Sequence, residues 1–240
     1  MPFTDADLQV FTTSLSIGAA VVILGLPIAF GLALLLERCA FFGKGLVAAL
    51  VHLPLVVPPV VVGYVLLLVF APTGSLGKQL DAWGLGLAFH WRGAVLASFI
   101  MALPLMVRAI RQTLSQQDPD LLRVAASLQA SPWRQFTAIT LPLSLPGLLS
   151  ASVLGFARAA GEFGATITFV SNIPGLTQTL PLALYSAAQT PGGESEALRL
   201  LILNLIPAIA ALIASEWLAS RHALKLGLKG QYSIKRGRRG

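Results

Sequence analysis

Long apolar runs separated by short polar stretches are the main pattern in this chain of 240 residues. A helix needs about 20 apolar residues to cross the hydrocarbon core of a bilayer, because each residue advances it by about 1.5 Å. Prolines fall inside or near these runs, which kinked helices tolerate when their neighbours satisfy the freed carbonyls. The pattern predicts five transmembrane helices, at residues 8–36, 46–71, 93–112, 136–160 and 198–219.

A further apolar stretch, residues 164–190, is interrupted by Asn172, Pro174, Gly175 and Pro181. We interpret it as two short segments, partly re-entrant, because irregular backbone at membrane depth must be buried in protein. A sixth crossing here would move the C-terminus to the opposite face of the membrane.

The composition supports a membrane protein, since 55% of the residues are hydrophobic and only 11% are charged. We therefore expect an all-α membrane protein with a transmembrane domain at 1–219 and a basic tail at 220–240. The tail holds seven of the 17 Lys and Arg residues. We expect it to be a solvated segment near anionic lipid and to bind no nucleic acid.

The distribution of basic residues predicts the orientation. With five crossings and the tail inside, the loops at 37–45 and 113–135 also lie inside. This inner side then holds 13 of the 17 Lys and Arg residues, and the outer side holds four. Because positive charge concentrates on the cytoplasmic side, we expect a cytoplasmic C-terminus.

The sequence contains no pattern typical of catalysis. It has three histidines, a single cysteine, and no HExxH, GxSxG or P-loop sequence, so we expect no catalytic residue, no metal and no cofactor. Any ATP hydrolysis would take place on another polypeptide. A membrane-bound enzyme is disfavoured because His, Asp and Cys are not clustered. An ion-coupled secondary transporter would need coupling-ion groups near the midplane and often an inverted repeat, and neither is present.

The segment 113–146, which runs into the fourth predicted span, predicts two short helices joined at Ser131. Asp118 and Ser131 are each followed by a proline, which is typical of a helix N-terminus. The first helix has a narrow apolar face made by residues at i, i+4 and i+7, namely Leu121, Ala125 and Leu128. Such a helix either lies on the membrane surface or docks into a groove of a cytoplasmic partner.

Residues 124–142, VAASLQASPWRQFTAITLP, resemble the cytoplasmic coupling motif of ABC-importer membrane subunits. That motif reads Glu-Ala-Ala, then a glycine some four residues on, then Ile-x-Leu-Pro. The chain departs from it at two positions, with Leu122 or Arg123 in place of the acidic residue and Gln129 in place of the glycine. The resemblance implies that an ATPase contacts Leu121, Leu122, Ala125, Ala126, Leu128, Gln129, Ser131, Leu141 and Pro142.

Residues 157–197, ARAAGEFGATITFVSNIPGLTQTLPLALYSAAQTPGGESEA, are similar to the corresponding region of molybdate ABC-transporter permeases. The resemblance implies the permease fold of the molybdate/methionine type, with a coupling-helix loop at 118–142. It also implies a multi-pass homodimer in the bacterial inner membrane, two cytoplasmic ATP-binding subunits and a periplasmic or lipid-anchored molybdate-binding protein. The implied function is molybdate import by alternating access, with sulfate, thiosulfate and tungstate as alternative substrates.

The same region contains a lone glutamate, Glu162, four residues after Arg158. Their spacing places them on one helical face, where they can pair. We favour a structural ion pair over a substrate contact, because a bare carboxylate would repel an oxyanion. Gly161 and Gly164 permit a helix break or a close backbone approach, and this could form a gate.

Hydroxyl and amide groups follow the glutamate and would suit an oxyanion that is passed along weakly. An equally good interpretation is that the threonines bond to carbonyls of their own helix. These candidate pathway residues are Thr166, Thr168, Ser171 and Asn172.

Overall fold

The structure is a computed structural model and describes residues 3–225. Every regular element in this range is a helix, which confirms the predicted all-α class. Of the predicted basic tail, residues 226–240 lie outside the described residues. The helices are α1 Asp5–Arg38, α2 Lys44–His52, α3 Pro59–Phe70, α4 Ser75–Ala82, α5 Trp91–Ser115, α6 Pro119–Ser127, α7 Pro132–Gln135, α8 Leu141–Ala160, α9 Gly164–Val170, α10 Leu180–Gln189 and α11 Glu194–Lys225.

Four helical segments among the described residues are long and apolar enough to cross a membrane. They are α1, α5, the continuous segment Pro132–Ala160, which includes α7 and α8, and Glu194–Ala214 of α11. The predicted spans 8–36, 93–112 and 136–160 fall within these segments, and the predicted span 198–219 falls within α11 but extends past Ala214. The chain is therefore a multi-pass membrane protein.

The predicted span at 46–71 is not one continuous helix. It is divided into the segments Lys44–Leu55 and Pro59–Phe70, which are bent by 111° at the break between them. The first segment is α2 extended by a short 3₁₀ turn, Leu53–Leu55, and the second is α3. Pro54 lies in this turn, Pro58 precedes α3, and Pro59 begins it. Since proline has no N–H to donate to the preceding turn, the helix cannot continue through this stretch. The pair makes a fifth crossing if its two halves form one broken span.

The core is formed by α1, α5 and α8, which pack on one another. Ile17 and Leu36 of α1 and Met106 and Ile110 of α5 are among its largest buried side chains. Helix α8 contributes small residues to this core, and at Gly155 an added Cβ would lie 2.7 Å from the Met106 sulfur. Small residues on α8 thus let the three helices pack closely.

One end of this bundle, called the loop end below, carries α6 and α7. Here the C-terminal ends of α1 and α5 meet the start of α8. Glu37 pairs with Arg111 at 3.2 Å, and Arg38 donates a 2.6 Å hydrogen bond to Gln117. Gln117 in turn donates to Ser144 at 3.2 Å.

The opposite end, called the far end below, brings together the N-terminal ends of α1, α10 and α11. Asp7 is buried and pairs with Arg199 at 2.9 Å. The Ser14 hydroxyl accepts a hydrogen bond from the backbone N–H of Leu180 at 2.7 Å. These contacts fix the N-terminal turns of three helices against each other, at the end of the bundle that lies away from α6.

Candidate functional site

The first part of the site is the pair of short helices at the loop end. Asp118 caps α6 by accepting a hydrogen bond from the Asp120 N–H at 2.9 Å, and Ser131 caps α7 by accepting from the Arg134 N–H at 3.3 Å. Both predicted helix starts are therefore present. Their side-chain oxygens satisfy amides that have no partner within the helix.

The exposed apolar face of α6 differs by one residue from the predicted one. Leu121 is 45% exposed, Val124 56% and Leu128 77%, whereas Ala125 is half-buried. The sequence reasoning missed Val124, although its i+3 spacing from Leu121 places it on the same side of a helix. Leu121, Val124 and Leu128 are called the α6 face below.

The turn between α6 and α7 has left-handed backbone at Gln129, where φ is +58°. The N–H of Gln129 bonds to the Ala126 carbonyl at 2.9 Å, and the N–H of Ala130 bonds to the Ala125 carbonyl at 3.0 Å. This pair of bonds is the Schellman motif, which usually places glycine at the left-handed position. Gln129 occupies the position at which the coupling motif has glycine, so the turn that glycine favours is kept without it.

A π-helical turn, Phe136–Thr140, connects α7 with α8. The ring of Phe136 lies 5.8 Å from that of Trp133 and 6.0 Å from that of Phe30 in α1. Single π turns within α-helices are frequent at functional sites. Leu141 and Pro142, the end of the coupling motif, form the first turn of α8 directly after this turn.

The second part of the site is the break between α8 and α9, where Glu162 is 1% exposed. Its Oε2 lies 2.5 Å from Nη1 of Arg158, so the predicted ion pair is present. Its Oε1 accepts a hydrogen bond from the Ala165 N–H at 2.8 Å. The carboxylate therefore binds an arginine and caps the first turn of α9, while the Arg158 side chain remains 27% exposed.

Helix α9 packs against α3 at two glycines. An added Cβ at Gly63 would lie 2.5 Å from the Ala165 carbonyl oxygen, and one at Gly164 would lie 2.9 Å from Pro59 Cβ. The two backbones approach this closely only because neither glycine has a side chain. Gly161, by contrast, is exposed and meets only the Ala157 carbonyl, at 3.4 Å.

The candidate donors after Glu162 are largely engaged within the protein. Thr166 donates to the Phe163 carbonyl at 2.9 Å, and Thr168 donates to the Gly164 carbonyl at 2.8 Å. These are bonds to the local backbone, as the alternative interpretation expected.

At the end of α9, Ser171 takes a positive φ of 64°. The Asn172 side chain donates to the Ser186 hydroxyl at 2.6 Å. Asn172 therefore ties the segment after α9 to α10.

The two parts of the site lie at the two ends of α8. This helix has 20 residues, so about 30 Å separates its first turn beside the loop from its last turn at Ala160. The loop with α6 and the break at Glu162 are thus joined through one continuous helix.

The chain is similar in sequence to bacterial transport proteins. A sequence model of the family described as "binding-protein-dependent transport system inner membrane component" matches residues 25–223. The molybdenum transport system permease protein ModB of Haemophilus influenzae is 51% identical over 222 residues, covering 92% of this chain and 97% of that protein. ModB of Escherichia coli K12 is 52% identical over 220 residues, covering 91% and 96%.

A solved structure shares the fold. It is a bacterial alginate ABC transporter in complex with a periplasmic protein bound to an alginate pentasaccharide. The superposition has a TM-score of 0.68 at 17% identity and covers 94% of this chain and 81% of that chain.

Proposed function

Because this chain belongs to the family of binding-protein-dependent transport system inner membrane components, we propose that it is the membrane-spanning subunit of an ATP-driven molybdate importer. Two relatives named as molybdenum permeases support this proposal, since they are about half identical to the chain and align with it over nearly their whole length. The chain is a permease subunit of the inner membrane, and its own residues carry no ATP-hydrolysing motif.

The α6 face is the observation that carries the proposal for the ATPase contact. Three large apolar side chains project from a short capped helix at the end of a bundle, and Trp133 of α7 adds a fourth exposed apolar side chain to the loop. A helix with exposed apolar anchors fits into a hydrophobic groove of a partner protein. The partner in this proposal is a cytoplasmic ATP-binding subunit, two of which would bind a homodimer of this chain. The positive-inside count supports a cytoplasmic position for this loop and for the C-terminus.

Alternating access follows from the placement of the two parts of the site. Closure of the ATPase dimer would displace α6 and α7, and the π turn connects that movement directly to α8. The other end of α8 carries Arg158 and the break at Glu162, which we propose as part of the outer gate. Because Glu162 is buried and paired, it holds the gate together and does not contact the anion.

The proposed substrate is a tetrahedral dianion, molybdate. Sulfate, thiosulfate and tungstate share its charge and oxygen donors, so a pore has little by which to distinguish them. We therefore assign the selection to a periplasmic or lipid-anchored binding protein that docks at the far end.

The docking proposal is tested by replacing Leu121 and Leu128 together with aspartate. The two new carboxylates would have to be buried when the α6 face enters an apolar groove, and this cost would prevent docking. The variant should therefore reach the membrane but lose co-purification with the ATPase. The matched control is Leu76→Asp with Leu85→Asp, because these leucines are similarly exposed but lie between α3 and α5. Undiminished co-purification of the α6 variant would show that the helix is only interfacial.

The substrate is tested in vesicles that contain the chain, the ATPase and the binding protein. We expect ATP-dependent uptake of molybdate, and calorimetry should show that the binding protein prefers molybdate to sulfate. Uptake driven by a proton gradient in vesicles containing this chain alone would contradict the proposal and indicate a secondary transporter.

A further inference from the structure

A network of side-chain hydrogen bonds links the two ends of the coupling loop. These ends are the segment just before α6 and the segment just after α7. Gln117 lies in the short connection between α5 and the Asp118 cap of α6. Its Oε1 accepts from Arg38 Nη2 at 2.6 Å, and its Nε2 donates to the Ser144 hydroxyl at 3.2 Å. That hydroxyl donates to the Thr140 carbonyl at 2.6 Å. One amide therefore joins the last turn of α1, the segment leading into α6 and the first turn of α8.

The donor and acceptor in each of these hydrogen bonds follow from the chemistry of the side chains. A guanidinium only donates, so it must face the carbonyl side of the Gln117 amide. The hydroxyl of Ser144 gives its single proton to the Thr140 carbonyl, so it accepts from the NH₂ side of the amide. Only a group with an acceptor and a donor on opposite sides satisfies both neighbours, and glutamine is such a group.

This series of hydrogen bonds ends at the π turn. Thr140 is the last residue of that turn, and Ser144 is fully buried one turn further along α8. On the other side, Arg38 follows Glu37, which pairs with Arg111 of α5 at 3.2 Å. The loop is thus fastened to the three helices that form the core, because Gln117 bonds to α1 and α8 and the Glu37–Arg111 pair joins α1 to α5.

From this geometry we propose that Gln117 is a positioning residue, which makes α1 and α8 move together when α6 is displaced. The inference rests on the proposed function, in which an ATPase moves α6. Without the amide, α6 could turn about the 116–118 connection while α8 stayed in place. ATP would then be hydrolysed with less anion transported, because the movement would stop within the loop.

The test uses the full complex with its ATPase and binding protein in vesicles and measures ATP hydrolysed per molybdate transported. We expect Gln117→Leu to keep co-purification and ATP hydrolysis while this ratio rises roughly fivefold, the scale of a typical hydrogen bond, because Gln117 is half-buried and Arg38 is exposed. Gln117→Glu keeps the acceptor for Arg38 but loses the donor for Ser144, and Ser144→Ala removes the other end of that bond. Both should raise the ratio, by less than Gln117→Leu.

Two matched controls separate this role from a general loss of structure. Gln116 is the exposed neighbour, and the described structure shows no hydrogen bond of its side chain, so Gln116→Leu should leave the ratio unchanged. Ser152 donates to the carbonyl four residues before it, on the same helix, at 2.8 Å, as Ser144 does. Within the described residues it has no hydrogen bond to another helix, so Ser152→Ala should also have no effect.

The outcomes distinguish this inference from the function on which it rests. A native chain that recruits no ATPase contradicts the proposed function. A native complex that transports normally, with a Gln117→Leu complex of unchanged ratio, overturns the role of Gln117. An equal rise in both glutamine variants overturns it as well. If Gln117→Leu does not fold, unchanged ratios for Gln117→Glu and Ser144→Ala overturn it, and raised ratios in both support it.

Discussion

The left-handed residue in the coupling loop predicts a stabilising substitution. Gln129 has a φ of +58°, and its side chain is exposed. For a residue with a Cβ, left-handed backbone costs about 1–2 kcal/mol. Glycine avoids this cost but loses about 0.5–1 kcal/mol more through the flexibility of the unfolded chain. Gln129→Gly should therefore stabilise the turn by about 0.5–1 kcal/mol, which changes its opening equilibrium about two- to fivefold.

Hydrogen exchange of the loop amides measures this opening. The N–H of Ala130 closes the turn on the Ala125 carbonyl, so its exchange reports whether the turn is formed. We expect Gln129→Gly to slow this exchange two- to fivefold after correction for intrinsic rates. Gln129→Val should accelerate it, because a β-branched residue tolerates left-handed backbone least.

The same substitution at Gln116 is the control. This residue has an ordinary φ of −86°, so glycine there brings only the entropic cost and should weaken the adjoining structure. If glycine accelerated exchange at both positions, the backbone argument for Gln129 would be refuted. The family's glycine would then need an explanation other than the turn.

Two further predictions concern the break between α8 and α9. Gly63→Ala should lower the melting temperature of the purified protein, because the new Cβ would lie 2.5 Å from the Ala165 carbonyl oxygen. Gly31→Ala is the control and should not lower it, because an added Cβ there has nothing within 4 Å. Equal melting temperatures of the two variants would contradict the close packing at Gly63. Glu162→Gln leaves Arg158 without its counter-charge and should destabilise the protein by about 2–3 kcal/mol, below the range for a fully buried pair because the arginine is partly exposed. Its transport of molybdate relative to sulfate should stay the same, and a shift toward sulfate would show that the carboxylate contacts the anion.

Local signals in the sequence were sufficient to predict much of the fold and part of the site. The long helices follow from apolar length, and the two loop helices follow from Asp118 and Ser131, whose capping depends only on the next few residues. The Arg158–Glu162 pair was predictable from its i, i+4 spacing, and the pair forms although Glu162 lies just past the end of α8 at Ala160.

Contacts between distant residues left no such signal. Asp7 and Arg199 are 192 positions apart, and neither lies in a pattern that indicates the other. The contact between Gln117 and Ser144 depends on how α5 and α8 return to the same end of the bundle. The partial burial of Ala125 in α6 likewise depends on tertiary packing, whereas the exposure of Val124 was indicated by its i+3 spacing from Leu121 and was overlooked.

The two interruptions in the apolar helices meet in space, and this explains why a glutamate lies in so apolar a segment. Gly164, at the start of α9, lies against Pro59 and Val60, at the start of α3. A helix that begins inside such a bundle has amide groups with no water to bond to, and leaving them unsatisfied costs several kcal/mol each. The Glu162 carboxylate accepts a hydrogen bond from one of these amides, and Arg158 compensates the negative charge of the carboxylate. The break between α8 and α9 is therefore held by side-chain contacts, whereas a continuous helix would be held by its own backbone hydrogen bonds. A shift of α8 that starts at the loop end can therefore alter these side-chain contacts without unwinding a helix.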